Sequence, residues 1–182
     1  MLGLNKNVVT LVEHSNNWKA LFKVEKDQLN AIIGEHVVDI QHIGSTAIDG
    51  IAAKPLLDIL VGVKSMEEVQ KFDKHKLKEA TYYHLGRVKI EGKEVFAKFS
   101  NLEALTKTHV LHVVEYGGDW WQKHTFFRDY LNEHPEVAKQ YEELKKELAE
   151  AFPTDERTYT DGKKNFIDKI LLQREIEIDE IH

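Results

Sequence analysis

Residues His42-Ile43-Gly44-Ser45-Thr46, followed by Lys54-Pro55-Leu56-Leu57-Asp58-Ile59-Leu60-Val61, decide how this chain is read. A Gly-Ser turn stands 13 residues ahead of a carboxylate set in an apolar run. From Leu56 to Val63 the only charge is Asp58, so the run reads as a β-strand buried on both faces. Small turn residues let backbone N–H groups approach a phosphate closely. An Asp on a neighbouring strand can hold the Mg²⁺ that accompanies that phosphate. This is the geometry of nucleotidyl transfer, with one departure. Two residues beyond Asp58, on the same strand face, stands Leu60 and not a second carboxylate.

Each of these residues also has a plainer reading. An ionised carboxylate in a buried strand is costly unless it is paired or metal-bound. Asp58 therefore either faces a cation in a site or makes a structural ion pair with Lys54 or a distant Arg. Gly44, Ser45 and Thr46 either cradle a phosphate or simply end a strand. Pro55 biases Lys54 towards an extended backbone, from which its ammonium reaches a phosphate or only solvent.

Working outward, Val37–Ile43 reads as the strand entering the Gly-Ser turn, and residues 46–53 as a short helix or turn behind it. Val8–Val12 reads as a short strand. Trp18, Phe22, Leu29, Ile32 and Ile33 keep helical spacing within residues 16–33, with Gly34 as the stop. Ser65 and Glu68 match a capping box, which predicts a helix to about Ala80 with Met66, Val69, Phe72 and Leu77 inward. Arg87–Phe99 reads as a hairpin turning at Glu91-Gly92. His109–Glu115 is a further apolar strand ended by Gly117-Gly118. Helices follow over 119–132, from Pro135 to Pro153 with Val137, Tyr141, Leu144 and Leu148 in one stripe, and over about 161–176. The order predicts an α+β fold: a two-layer mixed sheet packed against helices, with a helical C-terminal third. With 182 residues and no linker or repeat, one domain over 1–182 is expected.

Composition narrows the function. The formal net charge is −6, which argues against a non-specific nucleic-acid binder. There is no cysteine, so disulfides, thiolate zinc sites and a Cys nucleophile are excluded. Met1–Lys6 has no apolar stretch of signal-peptide length, and no run approaches the ~20 residues needed to cross a bilayer. A cytoplasmic setting without a membrane partner is expected.

Further along the chain, His109 and His112 fall on opposite faces of their strand, so they cannot jointly hold one metal. His112 shares a face with Val110 and Val114. Beside Asp58 it would be a metal ligand, a phosphate partner or a general base; otherwise it is a hydrogen-bonded core residue. Glu115, opposite His112, is a distant substitute for the missing carboxylate. Arg128 suits bidentate phosphate recognition, or is a helix surface charge whose neighbour Asp129 pairs elsewhere. Tyr159 and Lys163, four apart, share a helical face on which Tyr stacks on a base and Lys holds phosphate; alternatively Tyr159 packs ahead of the helix. Trp120, Trp121, Phe126 and Phe127 read as core. Glu142-Glu143 and Glu147–Glu150 read as a solvated helix face.

Together, His42–Thr46, Ala53–Leu60, Leu111-His112-Val113, Phe127–Leu131, Tyr141-x-x-Leu144-Lys145 and Tyr159-Thr160-x-x-Lys163 resemble the GrpB family, assigned to the nucleotidyltransferase (polymerase-β-like) superfold. These segments run in order along nearly the whole chain. The resemblance implies a nucleotidyltransferase-like domain whose Gly44-Ser45 match the Gly-Ser turn and whose Asp58 matches the first metal carboxylate. Leu60 departs from the second, and His112 lies on the strand that often carries the third. The expectation is a protein binding a nucleotide or other phosphorylated small molecule through Gly44, Ser45, Thr46, Lys54, Arg128, Tyr159 and Lys163. Asp58 would hold Mg²⁺, with Mn²⁺ as substitute, and would act with His112 in nucleotidyl or phosphoryl transfer. The alternatives are a catalytically degenerate nucleotide-binding module and a protein-interaction module.

Overall fold

The computed structural model describes the backbone of residues 1–181 and the side chains of residues 1–179. The helices are α1 (Asn17–Ile33), α2 (Lys74–Glu79), α3 (Asp119–Glu133), α4 (Pro135–Ala151), α5 (Glu156–Gly162) and α6 (Lys164–Ile181). The strands are β1 (Asp39–Ile43), β2 (Leu57–Val63), β3 (Tyr82–His84), β4 (Lys93–Asn101) and β5 (Thr106–Glu115). They form one mixed sheet in the order β1-β2-β5-β4-β3. Only β2 and β5 run parallel; the other pairs are antiparallel.

The apolar run through Asp58 is β2, next to the centre of the sheet, which is why nearly all its side chains are buried. One face of the sheet presents Ile40, Ile59, Val61, Val63, Leu111, Val113 and Phe96. It packs under Leu29 and Ile33 of α1 and under Phe72 and Leu77. Burying each such side chain stabilises the fold by roughly 1.5–3 kcal/mol. Beside this core, Glu25 of α1 accepts from Tyr82 Oη at 2.6 Å and from Lys98 Nζ at 2.8 Å. His109 Nε2 is 3.5 Å from the same carboxylate.

The opposite face carries Ile43, Asp58, Leu60, Val110, His112 and Val114 by register. Here α3 lies close to the sheet. A Cβ on Gly62 would lie only 2.6 Å from Trp121 Cζ3, so the glycine admits the indole. Ile48, Ile51, Leu131, Ala138, Tyr141 and Ile170 form a separate core between the loop after β1 and the C-terminal helices. The two packed regions leave a hollow over the Asp58 end of the sheet.

Several local expectations change. Val8–Val12 makes only an isolated bridge, Val12 to Ala53. The Ser65–Glu68 capping box does not form: the Ser65 side chain caps nothing, and Glu68 instead accepts from Lys71 and meets His36. A 3₁₀ turn over Met66–Lys71 follows, and the α-helix starts only at Lys74, capped by Asp73, which accepts from Lys76 N–H. Glu91-Gly92 does turn the chain, with Gly92 at φ +73°, but the strand paired with β4 is Tyr82–His84 rather than 87–90. The last helix divides at Lys163. Glu142 is buried, not solvated: it accepts the Ala52 N–H at 2.8 Å and pairs with Lys139 and Lys146. Arg128 pairs with its neighbour Asp129 at 2.8 Å.

Candidate functional site

The turn and the strand meet as their spacing suggests. β1 runs antiparallel to β2 with Ile43 opposite Asp58, so the chain leaving β1 passes directly over that carboxylate. Gly44 turns there at φ +73°. A Cβ at Gly44 would lie 2.6 Å from Asp58 Oδ2 and 2.9 Å from its Cβ. Glycine is thus required twice, for the positive φ and for the close approach.

β5 brings His112 to the same place. His112 Nε2 lies 2.9 Å from Asp58 Oδ1. Desolvation raises the Asp58 pKa, but the hydrogen bond and charge of His112, with Lys54 and Lys163 nearby, outweigh it and hold the carboxyl below its usual range. Asp58 is therefore ionised, and His112 donates from Nε2. The Asp58 side chain is still 32% exposed, because it looks into a hollow rather than into packed core.

That hollow is a cavity of about 580 Å³. Its polar wall includes Gly44, Ser45, Thr46, Lys54, Tyr159 and Lys163 beside Asp58 and His112. Leu85, Val88, Ile90, Val95 and Trp120 form an apolar wall. The volume lies in the range of small-molecule sites, which combine apolar lining with a few converging polar groups.

The expected residues are brought together unequally. Ser45 faces the cavity beside the Tyr141 hydroxyl, which burial pushes up to about 12. Thr46 is buried, and its Oγ1 is committed to His42 Nε2 at 2.8 Å. Lys54 Nζ enters the cavity while paired with Glu156 Oε1 at 3.2 Å. Tyr159 is buried in α5, and Lys163 Nζ stands 4.7 Å from its ring centroid, so the tyrosine face is covered by a cation. Arg128 does not join them. Its Nη1 donates to Gln41 Oε1 at 2.7 Å and to the His42 carbonyl at 3.0 Å, on the far side of β1, where it anchors that edge strand. Glu115 is exposed at its strand end and does not line the cavity.

Other lining groups went unread in the sequence. Lys93 Nζ lies 2.7 Å from His124 Nε2 and 3.9 Å from the Trp120 ring centroid. Burial pushes Lys93 down to about 8, and burial with the charge of Lys93 pushes His124 down to about 2, so the imidazole accepts from the ammonium. The only advance signal was Lys93's place at the head of an apolar strand. Trp120 proved to be cavity wall, whereas Trp121 is core.

By themselves the protein side chains do not form a metal cage. Asp58 Oδ1 is taken by His112, Leu60 is fully buried, and Glu156 is held by Lys54 and Lys107. Among the described residues, no group of three or more His, Asp or Glu side chains is placed to hold a metal ion. Close Mg²⁺ pairs need several oxygen ligands, which this wall does not supply.

The sequence profile of the GrpB protein family matches residues 8–173. The chain belongs to the GrpB family. It is 65% identical over 171 residues to the glutamate-rich protein GrpB of Alkalihalophilus pseudofirmus, covering 94% of this chain and 98% of that protein. It resembles the crystal structure of the conserved protein GrpB from Enterococcus faecalis at a TM-score of 0.80 and 31% identity, over 88% of this chain and 94% of that one. The Cid1 poly(U) polymerase, solved with magnesium and 3'-dATP bound, matches at a TM-score of 0.52 and 11% identity, over 76% of this chain and 43% of that one. At that identity the likeness shows the fold alone, a nucleotidyltransferase-like one. No helix among the described residues is long and apolar enough to cross a membrane.

Proposed function

We propose that this GrpB-family chain binds a nucleotide or other phosphorylated small molecule in the Asp58 cavity. One observation carries the reading. Lys163, at the junction of α5 and α6, turns its ammonium towards the cavity, and among the described residues it has no ion-pair partner. Burial pulls its pKa down, against the opposing charges of Asp58 and Glu156. A half-buried ammonium without a paired carboxylate is costly, and a ligand anion removes that cost. The Gly44-Ser45 turn at the same wall offers a close backbone approach to such an anion.

In a transfer reaction, Lys54, Lys163 and Ser45 position and neutralise the phosphoryl group, which is most of what such catalysis requires. His112 fixes the Asp58 carboxylate through Oδ1, and Asp58 Oδ2 can take up the proton that an incoming hydroxyl loses as it attacks. Mg²⁺ is given no role here, because among the described residues Asp58 Oδ2 is the one cavity carboxylate oxygen without a partner, and a magnesium pair needs several. Leu60 favours a second reading, binding without turnover.

Thermal shift of the purified chain against nucleotides, coenzyme A precursors and sugar phosphates tests the proposal. A ligand at 100 times its Kd stabilises the fold by ~2.7 kcal/mol. The expected result is a shift with at least one phosphorylated compound that is lost in Lys163→Ala. No shift from any member of the panel overturns the reading. Product formation with a bound compound separates transfer from binding alone.

A further inference from the structure

We infer that the cavity takes its phosphorylated ligand as the free anion, with no divalent cation, and that lysines supply the neutralising charge. The inference rests on the phosphate reading above and deepens it. Its basis is the charge inventory of one wall. Among the described residues, five lysines line the cavity, Lys54, Lys93, Lys107, Lys123 and Lys163, against two carboxylates, Asp58 and Glu156. This excess of cations sits in a chain whose formal net charge is −6.

The pairing sharpens the count. Lys123 is neutralised from outside the cavity by Asp119 at 2.7 Å. Lys54 and Lys107 share the single carboxylate of Glu156, at 3.2 and 3.8 Å. Asp58 is engaged by His112 at 2.9 Å. Among the described residues, Lys93 and Lys163 have no carboxylate within ion-pair distance; Lys93 rests on a neutral imidazole and an indole face. The wall therefore holds more ammonium than it can neutralise. A compact anion with several charges is the ligand that balances it.

A divalent cation fits the same wall badly. It would enter among unpaired ammonium groups, where like charges repel strongly in a partly desolvated space. Among the described residues the one carboxylate oxygen of this wall without a partner is Asp58 Oδ2; any further protein carboxylate oxygen would have to be taken from His112 or from the two lysines on Glu156. Leu60, fully buried, offers none. A nucleotide that arrives complexed with Mg²⁺ has already lost much of the negative charge these lysines are placed to meet. Asp58 then acts as an internal counter-ion, holding the lysines and His112 in place while it repels the ligand that displaces its influence.

The metal reading and the free-anion reading predict opposite effects of Asp58→Asn. Calorimetric titration of the full chain with ATP, and separately with inorganic tripolyphosphate, is run in EDTA and again with excess Mg²⁺. The expected result is binding in EDTA at least as tight as in Mg²⁺. Asp58→Asn, whose fold is checked by its melting temperature, should bind several-fold tighter in EDTA, and Lys163→Ala at least tenfold weaker. Binding that requires Mg²⁺ and disappears in Asp58→Asn overturns the free-anion inference and leaves the phosphate reading standing. No binding of either probe in either condition, with no hit among other phosphorylated compounds, overturns the phosphate reading and this inference with it.

Discussion

His112 Nε2 reaches Asp58 Oδ1 at 2.9 Å although the two residues are not register partners: Asp58 lies opposite Val110, and His112 opposite Leu60. The contact is diagonal across a parallel pair of strands, on one face, and it ties β5 to β2 at the edge of the cavity. Such a pair behaves as a unit. Asp58→Asn and His112→Gln are expected to be non-additive, with a coupling of about 0.5–3 kcal/mol in a double-mutant cycle read by urea unfolding. Additivity within about 0.3 kcal/mol would show that the contact adds nothing to the fold.

Gly44→Ala should be among the most damaging single-methyl changes in the chain. The left-handed φ costs a non-glycine residue about 1–2 kcal/mol, and the added Cβ would overlap Asp58. A loss of about 2 kcal/mol or more is expected, with a fall in melting temperature of roughly 2–4 °C per kcal/mol for a protein of this size. An unchanged melting temperature would mean that the turn relaxes away from Asp58.

Glu142 clamps the segment between the Gly-Ser turn and β2 by accepting the Ala52 N–H, while Lys145 Nζ donates to the Ala52 carbonyl at 2.5 Å. Glu142→Leu leaves a buried N–H without a partner and should cost about 1–3 kcal/mol; Glu142→Gln keeps an acceptor and should cost less. The hydrogen bond from Lys139, opposed by desolvation and aided by the Ala52 N–H and Lys146, pulls the Glu142 pKa down from 4.5 to about 2. Its contribution is present above the unfolded value and is lost as pH falls from about 4.5 towards 2. Glu142→Gln should flatten the stability profile in that window, measured by denaturant unfolding.

His42 and His109 make stability depend on pH at a higher range. Burial pushes each pKa down from 6.5 to about 4, against the opposing charge of Asp58 for His42 and of Glu25 for His109. Below pH 6.5 the unfolded chain takes up protons that the folded chain refuses. Stability is therefore full above about 6.5 and declines as pH falls towards 4, at up to about 1.4 kcal/mol per pH unit for each histidine. Urea unfolding between pH 7 and 4.5 reads the slope, and His42→Asn should remove its share. A flat profile across this range would contradict the buried neutral imidazoles.

The sequence by itself determined the parts that depend on local chemistry. The apolar run around Asp58 dictated a strand buried on both faces, and it is β2 of the mixed sheet. Helical spacing dictated α1, and Pro135 opened α4 at its first turn. Period two placed His112 and His109 on opposite faces, where they stand. Gly44 was legible as a turn residue that lets the backbone approach closely, but that the group it approaches is the Asp58 carboxylate came from the pairing of β1 with β2.

Only the tertiary structure decided which charges meet. Lys93 and His124 are 31 residues apart, on β4 and α3, and nothing in either neighbourhood marks them as partners. Glu142 sat in an acidic run that looked solvated, yet packing drew it onto Ala52, 90 residues earlier. Arg128 had the chemistry for phosphate, but α3 delivers it to the outer side of β1, onto Gln41 and the His42 carbonyl. Hydrophobic periodicity fixes the faces of each element, because burial acts on neighbouring residues. The destination of a long charged side chain depends on how elements distant in sequence pack, and that packing is what assembled a lysine-rich cavity within an acidic chain.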